Sequence, residues 1–110
     1  MNWRILSIYA LFAWSIFFVS KCAHADDGPT LFKANCTVCH GDDAKGDGPA
    51  SIGLNPKPRN LVSDPFKNGD SIEQIANTIK VGLNQMPSFS NLTEKERTDL
   101  ATYIKSLRKK

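Results

Sequence analysis

Cysteine and histidine are scarce in this sequence, and what is missing around them excludes several kinds of site. The 110 residues include three Cys and two His, and only Cys36, Cys39 and His40 lie together. A structural zinc site takes four ligands, usually from two separated pairs, and no second pair follows here. A thioredoxin-like redox motif needs a strand–helix–strand pattern around its cysteines, and none is visible. A disulfide between Cys36 and Cys39 would be short and strained.

An excess of positive charge is also missing from most of the chain. The formal net charge is +3, from 14 basic and 11 acidic residues. Two of the basic residues, Arg4 and Lys21, lie in residues 1–25, which contain no acid. The remaining residues are therefore close to neutral. Nucleic-acid binding favours a basic stripe, so we expect no nucleic-acid partner.

The residues that are present form a C-x-x-C-H motif, Cys36-Thr37-Val38-Cys39-His40. On a helical turn, positions i, i+3 and i+4 share one face, so Cys36, Cys39 and His40 can all point at one flat ligand. The pattern is typical of covalent haem attachment. The two thiols would add to the haem vinyl groups, and the imidazole would bind the iron.

Methionine is almost absent from the chain after residue 25. Met86 is the only Met there, and it precedes Pro87 in an irregular stretch between two amphipathic segments. A neutral thioether can take the sixth position on a haem iron. A Met taken alone more often fills a core, but the C-x-x-C-H motif favours ligation. The sequence therefore predicts one haem c, attached through Cys36 and Cys39, with His40 and Met86 as iron ligands.

The first 25 residues have the pattern of a signal peptide. Arg4 provides a positive region, residues 5–19 are apolar apart from two Ser, and Ala23-His24-Ala25 forms an A-x-A cleavage site. Residues 26–110 are then the mature domain. The alternative is an uncleaved membrane anchor, for which the apolar run is somewhat short of the ~20 residues that a span needs.

Cleavage after residue 25 also predicts a location. It removes Cys22, so the only thiols left are those of Cys36 and Cys39. Haem-bound cysteines without a spare thiol fit an oxidising compartment, here the periplasm of a bacterium. A domain this small has a thin core, and a buried haem would supply apolar volume.

Helix signals predict an all-α domain of three main helices. Asp27 can cap a first helix that runs up to the motif. Residues 41–58 are rich in Gly and Pro and are predicted as a loop. Capping boxes begin helices over residues 71–81 and 93–107. Their predicted apolar faces are formed by Ile72, Ile75, Ala76, Ile79, Leu100, Tyr103, Ile104 and Leu107.

Two smaller features belong to the loop and the C-terminus. Asp42, Asp43 and Asp47 lack the spacing of a calcium loop, and we assign them to turns. A backbone carbonyl near Pro58 is expected to accept the Nδ1–H of His40 and to fix the tautomer that binds iron. The cations at residues 108–110 suit the end of a helix dipole or form a solvated tail.

These residues resemble class I c-type cytochromes, in particular small bacterial monohaem members, from Gly28 to Leu107. In that family the first and last helices cross next to the haem. The resemblance implies that Gly28, Phe32, Leu100 and Tyr103 form this crossing, in an all-α cytochrome c fold whose loops wrap around one covalently bound haem.

The sequence departs from the family pattern in one respect. Some members use a Trp or Tyr to hydrogen-bond a haem propionate. Here Trp3 and Trp14 both lie in the predicted signal peptide. Arg59 and Asn60 are the candidates to replace that contact.

The resemblance and the ligand set predict a periplasmic one-electron carrier that is not an enzyme. Its expected partners are redox proteins, namely an oxidase, a reductase or a dehydrogenase, with membrane contact only if the signal segment is retained. A haem enzyme or gas sensor needs an open iron position and a polar distal group. Cleavage removes His24, so no distal His remains. A third hypothesis is that the chain is an electron-transfer subunit of a larger oxidase or dehydrogenase complex.

Overall fold

The structure is a computed structural model, and it describes residues 27–109. The signal peptide predicted for residues 1–25, with Trp3, Trp14, Cys22 and His24, lies outside the described residues. Four α-helices follow in order: α1 (Gly28–Asn35), α2 (Thr37–His40), α3 (Ile72–Val81) and α4 (Glu94–Ser106). Two short 3-10 helices span Pro49–Gly53 and Leu107–Lys109.

Helices and loops account for the described part of the chain, which confirms the predicted all-α class. Its only extended pairing is an isolated bridge between Leu83 and Met86. Among residues 27–109, the helices are all too short or too polar to cross a membrane.

Side-chain caps begin the three main helices at the predicted residues. The carboxylate of Asp27 caps α1. Ser71 and Gln74 form a reciprocal capping box at α3, and Thr93 and Glu96 form another at α4. Each cap pairs backbone N–H groups that the first turn of a helix leaves without a partner. These helix starts therefore follow from residues no more than three positions apart.

The structure confirms one local prediction and corrects another. The first helix ends at Asn35, immediately before the motif as predicted, and Cys36, with φ −117° and ψ −29°, separates α1 from α2. The predicted loop over residues 41–58 contains the 3-10 helix Pro49–Gly53. Pro49 suits the first turn of such a helix, since its fixed φ is already helical and its missing N–H needs no partner.

Helices α1 and α4 cross closely, as the family resemblance implied. A Cβ atom on Gly28 would lie 2.5 Å from the carbonyl oxygen of Asp99 and 2.7 Å from Cβ of Tyr103. Only glycine fits at this contact. One turn further along, the rings of Phe32 and Tyr103 meet edge to face with their centroids 5.5 Å apart. Phe32 and Leu100 are buried beside this crossing.

Helix α4 also packs against α3, so it lies at the centre of the core. Leu100, only 1% exposed, is the largest side chain that is fully buried in the described residues. The residues that share this core are Leu31, Phe32, Cys36, Ala44, Leu61, Ile75, Ile79, Leu100, Ala101 and Ile104.

Replacing Leu100 by Ala should lower the free energy of unfolding by roughly 2–5 kcal/mol, because it leaves a cavity in the core. The matched control is Lys95→Ala on the same helix. The Lys95 side chain is 71% exposed and pairs with Asp99 at 2.6 Å. An exposed pair of this kind contributes only about 0.3–0.5 kcal/mol. Guanidinium denaturation compares the two variants, and equal midpoints would contradict the assignment of Leu100 to the core.

Candidate functional site: a cavity that unites the motif and Met86

A cavity of about 450 Å³ lies between four parts of the chain. These are the motif, the segment after the 3-10 helix Pro49–Gly53, helix α3 and the segment after α3. This volume is in the range of small-molecule and cofactor sites. Cys36, Cys39, His40 and Met86 all line it. The structure therefore brings together all four residues that the sequence predicted as haem-binding residues.

Cys36 and helix α2 together form one helical turn, from which all three motif residues line the cavity. The N–H groups of Cys39 and His40 both bond to the carbonyl oxygen of Cys36, at 3.2 and 2.8 Å. Cys36 is buried, Cys39 is half-buried, and neither forms a disulfide. Burial, helped by the neighbouring Cys39, raises the pKa of the Cys36 thiol to about 12. The site thus favours an uncharged sulfur at Cys36, which a thioether provides.

The imidazole of His40 is oriented by a backbone carbonyl. Its Nδ1 atom lies 3.0 Å from the carbonyl oxygen of Arg59. Because a carbonyl oxygen only accepts, Nδ1 carries the proton and Nε2 keeps a free lone pair. Burial lowers the pKa of His40, against a smaller opposing effect of the bond to Arg59. The acceptor is the residue after Pro58, where the sequence analysis expected it.

The loop after the motif holds the Arg59 carbonyl near His40. The N–H of Gly46 bonds to the carbonyl oxygen of His40 at 2.8 Å, and the N–H of Leu61 bonds to that of Ala44 at 2.8 Å. A Cβ atom on Gly46, whose φ is +83°, would collide with the carbonyl oxygen of Pro58. Glycine is therefore needed for the close approach of these two segments.

Met86 is presented by a tight turn after α3. The backbone groups of Leu83 and Met86 bond to each other at 2.9 and 3.2 Å. Asn84, inside this turn, has a φ of +53°. Gly82 ends α3 with a φ of +80°, and a Cβ there would lie 2.7 Å from the Met86 carbonyl oxygen. The backbone thus fixes where the Met86 side chain starts.

A hydrogen bond links the Met86 turn to the segment after the 3-10 helix Pro49–Gly53. The N–H of Asn55 donates to Oε1 of Gln85 at 3.0 Å. Sequence reasoning missed this contact, because a bond between residues 30 positions apart leaves no local pattern. It ties together two of the segments that line the cavity.

The two candidates for a propionate contact differ in position. Arg59 lines the cavity, and its guanidinium donates to the carbonyl oxygen of Pro65. The side-chain oxygen of Asn60 instead accepts the N–H groups of Val62 and Ser63, at 2.9 and 3.2 Å, and closes a turn. The geometry therefore favours Arg59. Lys57 and Lys67 add positive charge to the cavity wall.

The donor set and the lining fit a haem with two thioether links. Uncharged sulfur is favoured at Cys36, a neutral imidazole with a free Nε2 is present at His40, and Met86 offers a neutral thioether. The apolar lining comes from Val38, Leu54, Leu61, Phe66, Ile75, Ile79, Leu83, Phe89 and Ile104. Residues 27–109 contain no cluster of three or more His, Cys, Asp or Glu side chains that could hold a bare metal ion.

Comparisons with known proteins agree with this site. Residues 25–108 match the family model described as cytochrome c. Cytochrome c6 of Cyanidium caldarium is 37% identical over 84 residues, covering 76% of this chain and 72% of that protein. Cytochrome c6 of Cyanidioschyzon merolae is 30% identical over 106 residues, covering 94% and 96%. Cytochrome c-554(547) of Halothiobacillus neapolitanus is 33% identical over 89 residues, covering 74% and 93%.

A solved structure is also similar. It belongs to a reducing HAO-like protein complex of Kuenenia stuttgartiensis, with a TM-score of 0.63 and 31% identity. The match covers 73% of this chain but only 40% of that one. Together with the family model and the cytochrome c6 relatives, the fold and the cavity identify the chain as a member of the cytochrome c family, a small monohaem class I c-type cytochrome that carries electrons on covalently bound haem c.

Proposed function

We propose that this chain is a periplasmic one-electron carrier in which Cys36 and Cys39 hold the haem and His40 and Met86 ligate its iron. One observation carries the proposal: residues from the motif and from the turn after α3 line a single cavity. When bound, the haem supplies an iron that alternates between the ferric and ferrous states. The partners are redox proteins such as an oxidase, a reductase or a dehydrogenase.

The two proposed iron ligands suit electron transfer because both are neutral and both are held in place. Burial holds His40 neutral, and its bond to the Arg59 carbonyl orients the ring. Met86 is neutral as well, and its backbone is held by the Leu83–Met86 bridge. If His40 and Met86 both ligate the iron, no open position would remain for a substrate. An apolar lining and a Met ligand favour the ferrous state, which raises the reduction potential.

An enzyme or gas-sensor function would need an open position on the iron. Absorption spectra of the reduced and oxidised holoprotein, with and without carbon monoxide, test the point. We expect the weak long-wavelength band of ferric iron bound by a Met sulfur, and little uptake of carbon monoxide at neutral pH. Rapid uptake by the wild type, or absence of that band, would favour a sensor or enzyme.

A second possibility is that the chain is the electron-transfer subunit of a larger assembly. Its similarity to a chain that belongs to a protein complex of Kuenenia stuttgartiensis favours this candidate. That chain is more than twice as long as its matched part. Gel filtration of the native extract distinguishes the two. A free shuttle elutes at the size of a small monomer, and a subunit elutes with the assembly.

Acidification should destabilise the holoprotein in a window set by His40. Its pKa in the folded chain lies below the ordinary value of 6.5. As the pH falls below about 6.5, the unfolded chain takes up a proton that the folded chain resists, so the free energy of unfolding decreases. Guanidinium midpoints at pH 7.5 and pH 5 measure the change. His40 is the only His in residues 26–110. A midpoint that is the same at both pH values would contradict the burial of a neutral imidazole.

A further inference from the structure

The C-terminal turn is attached to the cavity wall by one arginine. Arg108 lies in the 3-10 helix Leu107–Lys109, and its Nη1 donates to the carbonyl oxygens of Leu61 at 3.1 Å and Asp64 at 2.6 Å. Its guanidinium carbon is also 4.3 Å from the centroid of the Phe66 ring. Arg108 is half-buried. It is therefore not part of a solvated tail, which was one of the two possibilities left open by the sequence.

The segment that Arg108 contacts is the one that orients His40. Leu61, Asp64 and Phe66 all line the cavity. The carbonyl oxygen of Arg59, at the start of this segment, is the hydrogen-bond partner of His40 Nδ1. The guanidinium of Arg59 reaches forward to the carbonyl oxygen of Pro65, which ties the two ends of the segment together. Arg108 thus contacts the same segment whose Arg59 carbonyl is hydrogen-bonded to His40.

We propose that Arg108 is a positioning residue for His40. By holding the segment over residues 59–66 against the C-terminal turn, it keeps the Arg59 carbonyl within hydrogen-bond reach of Nδ1. The inference rests on the proposed ligation of iron by His40. A carbonyl that accepts the Nδ1–H makes the imidazole a stronger donor at Nε2 and so favours ferric iron. Loosening the segment should weaken that bond and raise the reduction potential.

The variant Arg108→Lys separates position from charge. Lysine keeps the positive charge, but its ammonium lacks the planar fork that bonds two carbonyls while it stacks on a ring. If Arg108 acted only through its charge, Arg108→Lys would behave like the wild type. If it acts by holding the segment, Arg108→Lys should alter His40.

Arg97, near the opposite end of α4 from Arg108, provides a matched control. It is half-buried, and its Nη1 donates to the carbonyl oxygen of Leu92 near the start of α4. Neither Arg97 nor Leu92 lines the cavity. Arg97→Lys therefore removes the same kind of arginine–carbonyl bond at a place that does not contact the His40 segment.

The experiment measures the exchange of the His40 Nδ1 proton by NMR in reduced, ¹⁵N-histidine-labelled holoprotein, together with the reduction potential. We expect Arg108→Lys to speed this exchange by about tenfold relative to global unfolding, and to raise the potential. Arg97→Lys should change neither beyond its effect on the unfolding midpoint. Should Arg108→Lys not fold, Phe66→Leu loosens the same contact while keeping apolar volume, and a several-fold faster exchange is expected.

Three outcomes would overturn the inference, and only the third also overturns the proposed function. If the wild type shows His40 bound to iron but the Arg108→Lys or Phe66→Leu variant exchanges at the wild-type rate, the positioning role is wrong and the proposed function stands. If the His40 Nδ1 proton exchanges faster in both arginine variants only in proportion to their loss of stability, the positioning role is also wrong. If the wild-type His40 resonances lack the large shifts caused by the haem, the ligation itself is wrong, and the inference fails with it.

Discussion

Replacing both Cys36 and Cys39 by Ala should yield a chain that loses its haem on acid–acetone extraction and no longer folds. Without the two thioether links, nothing covalent retains the haem. The cavity of about 450 Å³ then has apolar walls and no occupant. The core around it is small, and Leu100 is its largest fully buried side chain among the described residues. We therefore expect the haem-free chain to lack most of its free energy of folding.

Acid–acetone extraction and far-ultraviolet circular dichroism measure the two parts of this result. The single variant Cys39→Ala is the matched control, since one link would remain and the haem should stay with the protein after extraction. Haem that remains covalently bound in the double variant would show that the attachment residues are wrong. Native-like helicity in the haem-free chain would show that the haem is not needed to complete the core.

Replacing Met86 by Ala should open the sixth position on the iron. The proposed sulfur ligand is lost, while the turn that presents it is held by the Leu83–Met86 bridge and should survive. Water or another weak ligand would enter, and the reduction potential should fall, because ferric iron is no longer disfavoured by a thioether. Carbon monoxide should bind the ferrous variant roughly 100-fold faster, if sulfur dissociation costs the wild type about 3 kcal/mol.

The control for Met86→Ala is a change in the same segment that spares the ligand. Ser88 donates its hydroxyl to the carbonyl oxygen of Lys80 at 2.5 Å and does not line the cavity. Ser88→Ala should keep the Met–iron band and the slow uptake of carbon monoxide. Stopped-flow mixing with carbon monoxide and spectroelectrochemistry measure both variants. If Met86→Ala and the wild type take up carbon monoxide at the same rate, Met86 is not the sixth ligand.

The contacts of Arg108 could not be predicted from the sequence alone. Positive charge at the end of α4 fits the helix dipole, and the sequence carries no sign that the guanidinium turns back to the carbonyls of Leu61 and Asp64. These partners are 47 and 44 positions away. Contacts over such distances depend on how the helices pack. They leave no periodicity in the sequence.

The predictions that succeeded from sequence rest on short spacings. The helix caps at Ser71 and Thr93 join residues three positions apart, and the motif from Cys36 to His40 occupies one helical turn, so local geometry alone determines them. The sequence analysis expected the acceptor near Pro58 and paired Met86 with the motif, but only the tertiary structure decided that the Arg59 carbonyl is the one that meets His40 and that the Met86 turn lines the same cavity as the motif. Those contacts form only once helix packing brings distant segments together, and a single sequence does not record that packing.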